Sequence, residues 1–134
     1  MDPDGSILAQ PESLNGPMHS YKVEGIGYDF IPKVLERSLV DLWIKTHDRE
    51  SFLMARRLIR EEGMLCGGSS GATMYAAMIA AKHFQLGPQH TMVVLLADSI
   101  RNYMSKHLND DWMRQNGFVE APSDGPNSHL SGTC

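Results

Sequence analysis

Apolar and polar positions divide the chain into a few recognisable elements. Met64-Leu65-Cys66 is an apolar run of the length a buried strand uses, and Gly67-Gly68-Ser69-Ser70-Gly71 follows it at once. Residues 73–81 are then apolar on nearly every side and rich in helix formers, which predicts a buried helix with Ser69 or Ser70 as its N-cap. Residues 48–62 carry a different pattern. At about 100° per residue, Phe52, Ala55, Leu58 and Ile59 share one arc while Arg56, Arg57, Arg60 and Glu61 fall on the other. This predicts an amphipathic surface helix opened by Asp48 and stopped by Gly63, with Arg57 and Glu61 spaced for an i,i+4 pair. Leu53 lands among the charges without an evident reason.

Further along, residues 91–96 form a continuous apolar run, the signature of a strand buried on both faces. Asp98 and Ser99 can cap a helix over residues 100–108, where Ile100, Tyr103, Met104, His107 and Leu108 keep helical spacing. Residues 39–44 read as a strand, 34–37 as a turn of helix, and 110–116 as a short helix ended by Gly117 and docked by Trp112 and Phe118. A strand, a polar turn and a helix thus occur twice. The pattern predicts an α/β fold with a parallel-sheet core and flanking helices, in which the turns after Cys66 and Leu96 line one crevice beyond the strand ends. Residues 1–17 read as turn and loop around a short extended piece at 6–9, and the breaker-rich segment 120–134 is expected to be a disordered tail.

Composition narrows the function classes. The 134 residues, 42% hydrophobic and 21% charged, are one globular domain's worth. A net charge of −4 supplies no basic field for nucleic acid, and no apolar run approaches the ~20 residues of a membrane span. With no signal-peptide pattern, the expectation is a cytoplasmic chain without membrane or nucleic-acid partners. Cys66 and Cys134 form no C-x-x-C, and Cys66 reads as a small buried apolar side chain. The six histidines show no ligand spacing, so no metal site is expected.

Candidate chemistry centres on two glycine turns. Gly67-Gly68-Ser69-Ser70-Gly71 matches the G-x-S-x-G nucleophile elbow, with Asp98 and then His107 or His129 following in order, although no oxyanion loop completes the set. Alternatively the Ser69 hydroxyl meets a ligand without attacking it, or the turn merely connects strand to helix. The second turn, Gly25-Ile26-Gly27, leads directly into Tyr28-Asp29-Phe30. Tyr28 is a binding candidate there, beside the plainer reading of alternate-face packing. Asp98 is a helix cap or a ligand contact.

Taken together, Asp2-Pro3-Asp4-Gly5-Ser6-Ile7-Leu8-Ala9, Glu24-Gly25-Ile26-Gly27-Tyr28-Asp29-Phe30, Leu65-Cys66-Gly67-Gly68-Ser69-Ser70-Gly71, and Asp98-Ser99-Ile100-Arg101-Asn102-Tyr103-Met104 through Asp111-Trp112-Met113 are far more specific than any one motif. Over residues 2–118 the chain resembles the C-terminal part of the catalytic domain of the cystathionine β-synthases. Cysteine synthases share the frame, but Tyr28-Asp29-Phe30 and the Asn102 to Lys106 run followed by Trp112-Met113 resemble the cystathionine enzymes. The resemblance implies a tryptophan-synthase-like fold, pyridoxal phosphate as cofactor, serine and homocysteine as substrates, and a homo-oligomeric parent. It implies that Ser69 hydrogen-bonds the pyridine nitrogen, that Gly25, Ile26 and Gly27 pass close to the ring, that Tyr28 faces the substrate, and that Asp98 stands near the pyridine end.

The family's Schiff-base lysine and phosphate loop have no counterpart here. Lys22, Lys33, Lys45, Lys82 and Lys106 all lie outside that lysine's motif, and the haem segment and regulatory domains of the animal enzymes are likewise without a match. Ala97 stands where the family carries proline, and Ala72 where it carries a small hydroxyl residue. The expectation is a fragment or truncated form, residues 1–119 being an incomplete catalytic domain without activity of its own, or a non-catalytic partner of the full-length enzyme.

Overall fold

The computed structural model describes residues 2–9 and 20–120. Its elements are strands β1 (Asp2–Pro3) and β2 (Lys45–Thr46) and helices α1 (Asp48–Glu62), α2 (Gly68–His83) and α3 (Asp110–Gln115), with 3-10 turns at Arg37–Leu39 and Ile100–Tyr103. The α/β class stands, with a parallel pair as its sheet: Asp2 lies opposite Lys45 and Pro3 opposite Thr46. Lys45 clamps this pair, its Nζ donating to Asp2 Oδ2 at 2.6 Å and to the Ser6 carbonyl at 2.7 Å.

Helix α1 keeps the expected bounds and ends at Gly63, whose φ of 68° gives the left-handed C-cap. Asp48 opens it as expected, with His47 at the N-cap position, and the Asp48 side chain does not cap the helix. The Asp48 carboxylate instead accepts from the backbone N–H groups of Lys22 and Val23, at 2.6 and 3.0 Å, and so ties the second glycine turn to the helix start. The face with Phe52, Met54, Ala55 and Leu58 is buried, and Arg57 meets Glu61 at 3.0 Å as the spacing predicted. Leu53, out of place on the helical wheel, packs against a second surface, the cluster of Val23, Phe52, Met113 and Phe118.

Helix α2 starts earlier than predicted. Gly67 is its extended N-cap and no side chain caps it, so Ser69 and Ser70 belong to the first turn, where both are buried. The helix packs on α1 at Gly71, where a Cβ would collide with the Ser51 carbonyl and lie 2.6 Å from Ala55 N, and Ala72 and Ala76 are buried. Small residues let the two backbones approach. The far half of α2 is not buried as expected: Met78, Ile79 and the following Phe84 are exposed.

The predicted strands are where structure and expectation differ. Residues 91–96 are extended but unpaired, with Val93 92% and Leu95 77% exposed. Residues 39–44 likewise form no strand, and the 64–66 run keeps only an antiparallel bridge from Cys66 to Ser99. A strand exists only through a continued ladder of hydrogen bonds to a neighbour, and among the described residues none of these segments has one. Residues 6–9 form turns, and 34–37 give way to the 3-10 turn at Arg37–Leu39. The expected 100–108 helix shortens to the 3-10 turn at Ile100–Tyr103. Helix α3 is capped by Asn109, whose side chain accepts from Trp112 N, and Gly117 follows it. Trp112 and Phe118 dock as expected, with Phe52 edge-on to Trp112 at 5.4 Å and 5.2 Å from Phe118. The expected tail, from residue 121 on, lies outside the described residues.

Candidate functional site

The glycine turn after Cys66 is held by the segment around Asp98. Gly67 N–H donates to the Asp98 carbonyl at 3.0 Å and Ile100 N–H to the Leu65 carbonyl at 3.0 Å. The two polar turns that the sequence placed at one crevice are therefore adjacent. A side chain at Gly67 would collide with Asp98 Oδ1 and come within 2.7 Å of Tyr103 Cε2, so only glycine fits between them. Asp98 Oδ2 accepts from the Tyr103 hydroxyl at 2.6 Å, whereas the buried Oδ1 has no partner. Donation to Asp98, with burial and the Asp98 and Glu24 charges adding to it, pushes the Tyr103 phenol up to about 12. Tyr103 is thus a fixed donor at neutral pH. Asp98 caps nothing; Ser99 does, its hydroxyl accepting from Arg101 N at 3.3 Å.

Ser69 sits in the first turn of α2, 8% exposed, and its carbonyl accepts from the Thr73 hydroxyl at 2.9 Å. Among the described residues its own hydroxyl makes no hydrogen bond, leaving it free to donate to a ligand. Cys66 is buried against Ser70, and burial raises its thiol pKa, as befits a packed side chain and not a nucleophile. Among the described residues no Ser69, His107 and Asp98 triad is assembled. The Asp98 carboxylate serves Tyr103, neither His107 ring nitrogen has a hydrogen-bond partner, and His129 lies outside the described residues.

The second turn has the geometry its glycines imply: φ is 76° at Gly25 and 72° at Gly27. A Cβ on Gly27 would collide with Pro3 Cγ, so this turn rests on β1. Ser6 fastens its end, with its hydroxyl donating to the Tyr28 carbonyl at 3.1 Å and accepting from Tyr28 N at 3.0 Å. The Tyr28 ring is 47% exposed and lies 5.1 Å from Phe30. Ser69 and the Gly25–Tyr28 turn share no hydrogen bond among the described residues. They are linked one layer down, because Ile26 packs on the Phe52 cluster and Phe52 Cε1 lies 2.8 Å from where a Cβ on Gly68 would stand. An ion pair between Glu24 and Lys106 adds a second tie to the segment after Asp98.

His107 and Phe52, the residues that join the two turns, were read from the sequence only as a triad or helix position and as helix face. The i,i+4 spacing of Tyr103 and His107 after Asp98 was the available signal. None of the five lysines reaches the Ser69 turn by a hydrogen bond: Lys45 pairs with Asp2, Lys106 with Glu24, and Lys22, Lys33 and Lys82 are exposed.

No family model matches the chain. Individual relatives do. Over 120 residues, 90% of its length, the chain is 71% identical to a cystathionine beta-synthase of Dictyostelium discoideum, and over 121 residues it is 57% identical to that of Mus musculus. It spans 24% and 21% of those relatives' lengths. Among solved structures it is similar to an O-acetylserine dependent cystathionine beta-synthase from Helicobacter pylori, with a TM-score of 0.66, 33% identity, and 78% of this chain and 32% of that chain covered. The chain is therefore homologous, over most of its length, to a segment of the cystathionine β-synthases, as its motifs indicated.

Proposed function

From this kinship we propose that the chain carries the pyridine-ring end of a pyridoxal-phosphate site for β-replacement, the condensation of serine with homocysteine to cystathionine. The observation that carries the reading is the Ser69 hydroxyl, in the first turn of α2 on a residue 8% exposed and with no hydrogen bond among the described residues, following a Gly67 held by Asp98, whose buried Oδ1 lacks a partner. A hydroxyl donor fits an aromatic nitrogen base. Ser69 would donate to the pyridine nitrogen, Asp98 would stand at the same end, Gly25, Ile26 and Gly27 would lie along the ring, and Tyr28 would face the substrate. When bound, pyridoxal phosphate supplies the electron sink for losing a β-substituent.

The residues supply orientation. A neutral hydroxyl leaves the nitrogen unprotonated, where a carboxylate facing it would hold a proton there, and the Asp98 carboxylate is engaged at Oδ2 by the Tyr103 hydroxyl. Residues 1–119 are read as part of such a catalytic domain, acting in the cytoplasm within a homo-oligomeric parent. With no lysine at the turn, the chain alone is read as inactive.

Two measurements test this. Purified chain with pyridoxal phosphate, serine and homocysteine should form no cystathionine; turnover would overturn the inactivity. Cofactor binding followed by absorbance should weaken about tenfold in Ser69→Ala, the worth of about one hydrogen bond. Equal affinity of the two proteins would remove Ser69 from the site. Replacement on O-acetylserine is the second reading, suggested by the 33% identity to the Helicobacter pylori neighbour, and because the chain alone is read as inactive, the relative binding of serine and O-acetylserine to the cofactor-loaded chain separates the two.

A further inference from the structure

His107 is fully buried directly beneath the Cys66–Ser69 turn. Its ring stacks on Phe52 at 5.3 Å and 19°, leans on Tyr103 at 5.4 Å, and lies 3.9 Å by Cε1 from where a Cβ on Gly68 would stand. Neither ring nitrogen has a hydrogen-bond partner. The ring is thus used as a flat aromatic spacer that joins α1, the glycine turn and the Asp98–Tyr103 pair. A phenylalanine would fill the same shape, but an imidazole can take up a proton.

We propose that His107 is a positioning residue that holds the glycine turn in place only while neutral, and that its protonation in mild acid releases the turn. The groups around it are divided over a charge, and burial opposes one. On its own segment Lys106 is cationic and engaged by Glu24, and Tyr103 already donates to Asp98. From α1 it faces the Arg56 guanidinium, which pairs with Asp110, and the Phe52 ring. From the turn it faces the Cys66 carbonyl, and from the facing segment the Asp98 carboxylate. Only these last two favour a proton; burial, Arg56 and Lys106 oppose it, and burial dominates, which lowers the pKa from the ordinary 6.5.

The sign follows. A group whose pKa is lower folded than open takes up its proton on opening, so stability is full above the open-state value near 6.5 and is lost as pH falls below it. The turn is the part that opens, because the ring's contacts are to the turn and to its two supports.

The test is amide hydrogen exchange of the full chain between pH 7.5 and 5.5, corrected for intrinsic rates. Protection of the Gly67 and Ile100 amides, which hold the turn to the Asp98 segment, should fall up to about tenfold per pH unit below 6.5, the limit for one proton. In His107→Phe and His107→Gln it should stay flat. The His107 Cε1 proton resonance, followed in the unmutated chain, should not titrate until well below 6.5. Unchanged protection in the unmutated chain, an equal fall in the variants that fold, or a resonance titrating at 6.5 would each overturn the proposal. None of these readouts depends on bound cofactor.

Discussion

Two apolar regions of similar sequence character meet opposite fates. Phe52 is 3% exposed, enclosed by Val23, Trp112, Met113 and Phe118, while Val93, in an equally apolar run, is 92% exposed. The aromatic cluster closes because its partners all lie in this chain, and a side chain needs only contacts from whichever elements surround it. The 91–96 segment needs more. A strand apolar on both faces must have a layer on each face and a neighbour on each backbone edge. α1 and α2 furnish one layer, seen in a cavity of about 440 Å³ lined by Met54, Leu58, Met74, Met78, Val94 and Leu96. Nothing described here furnishes the edges. The glycine turn lies at the closed end, which is why its hydrogen bonds to the Asp98 segment are formed although the adjoining sheet is not.

The contrast can be broken first at its closed end. Phe52→Ala should cost about 3–5 kcal/mol in urea unfolding followed by circular dichroism, since Phe52 touches α3, His107 and the Gly68 backbone at once. A loss below about 1 kcal/mol, the level of ordinary surface changes, would mean the cluster is not the centre of the fold. Gly71→Ala comes next, at about 1–3 kcal/mol, because the added methyl meets Ser51 and Ala55 backbone, which cannot rotate away. An unchanged midpoint there would place α1 and α2 farther apart in solution. Smallest is Val93→Thr, expected within about 0.5 kcal/mol because the side chain touches little. A loss comparable to that of Phe52→Ala would show that the open end is in fact covered.

The legible parts of the molecule were those fixed by neighbours in sequence. Residues 48–62 announce their helix by periodicity and a glycine stop, Arg57 and Glu61 pair because four residues is one helical turn, and Gly25 and Gly27 signal a turn that other residues resist. The glycine-serine turn and Asp98 were found by the motifs they sit in. Which cap each helix uses was less legible. Asp48 opens α1 as expected, but Ser69 or Ser70 was expected to cap α2 and Gly67 holds that position; a polar side chain takes whichever backbone donor the tertiary fold brings near, as the Asp48 carboxylate does with Lys22 and Val23. Leu53 reversed its reading in the same way, through a second packing surface invisible on a wheel.

By itself, then, the sequence determined the two long helices α1 and α2, the glycine turns and the kinship, since each depends on local stereochemistry or on a run of consecutive residues. The tertiary structure alone decided that 91–96 stays unpaired, that Asp98 turns to Tyr103, and that His107 serves as the buried spacer beneath the turn. Those outcomes depend on contacts between distant residues, and a hydrogen bond or a buried face is defined by the partner that arrives, not by the residue that waits for it.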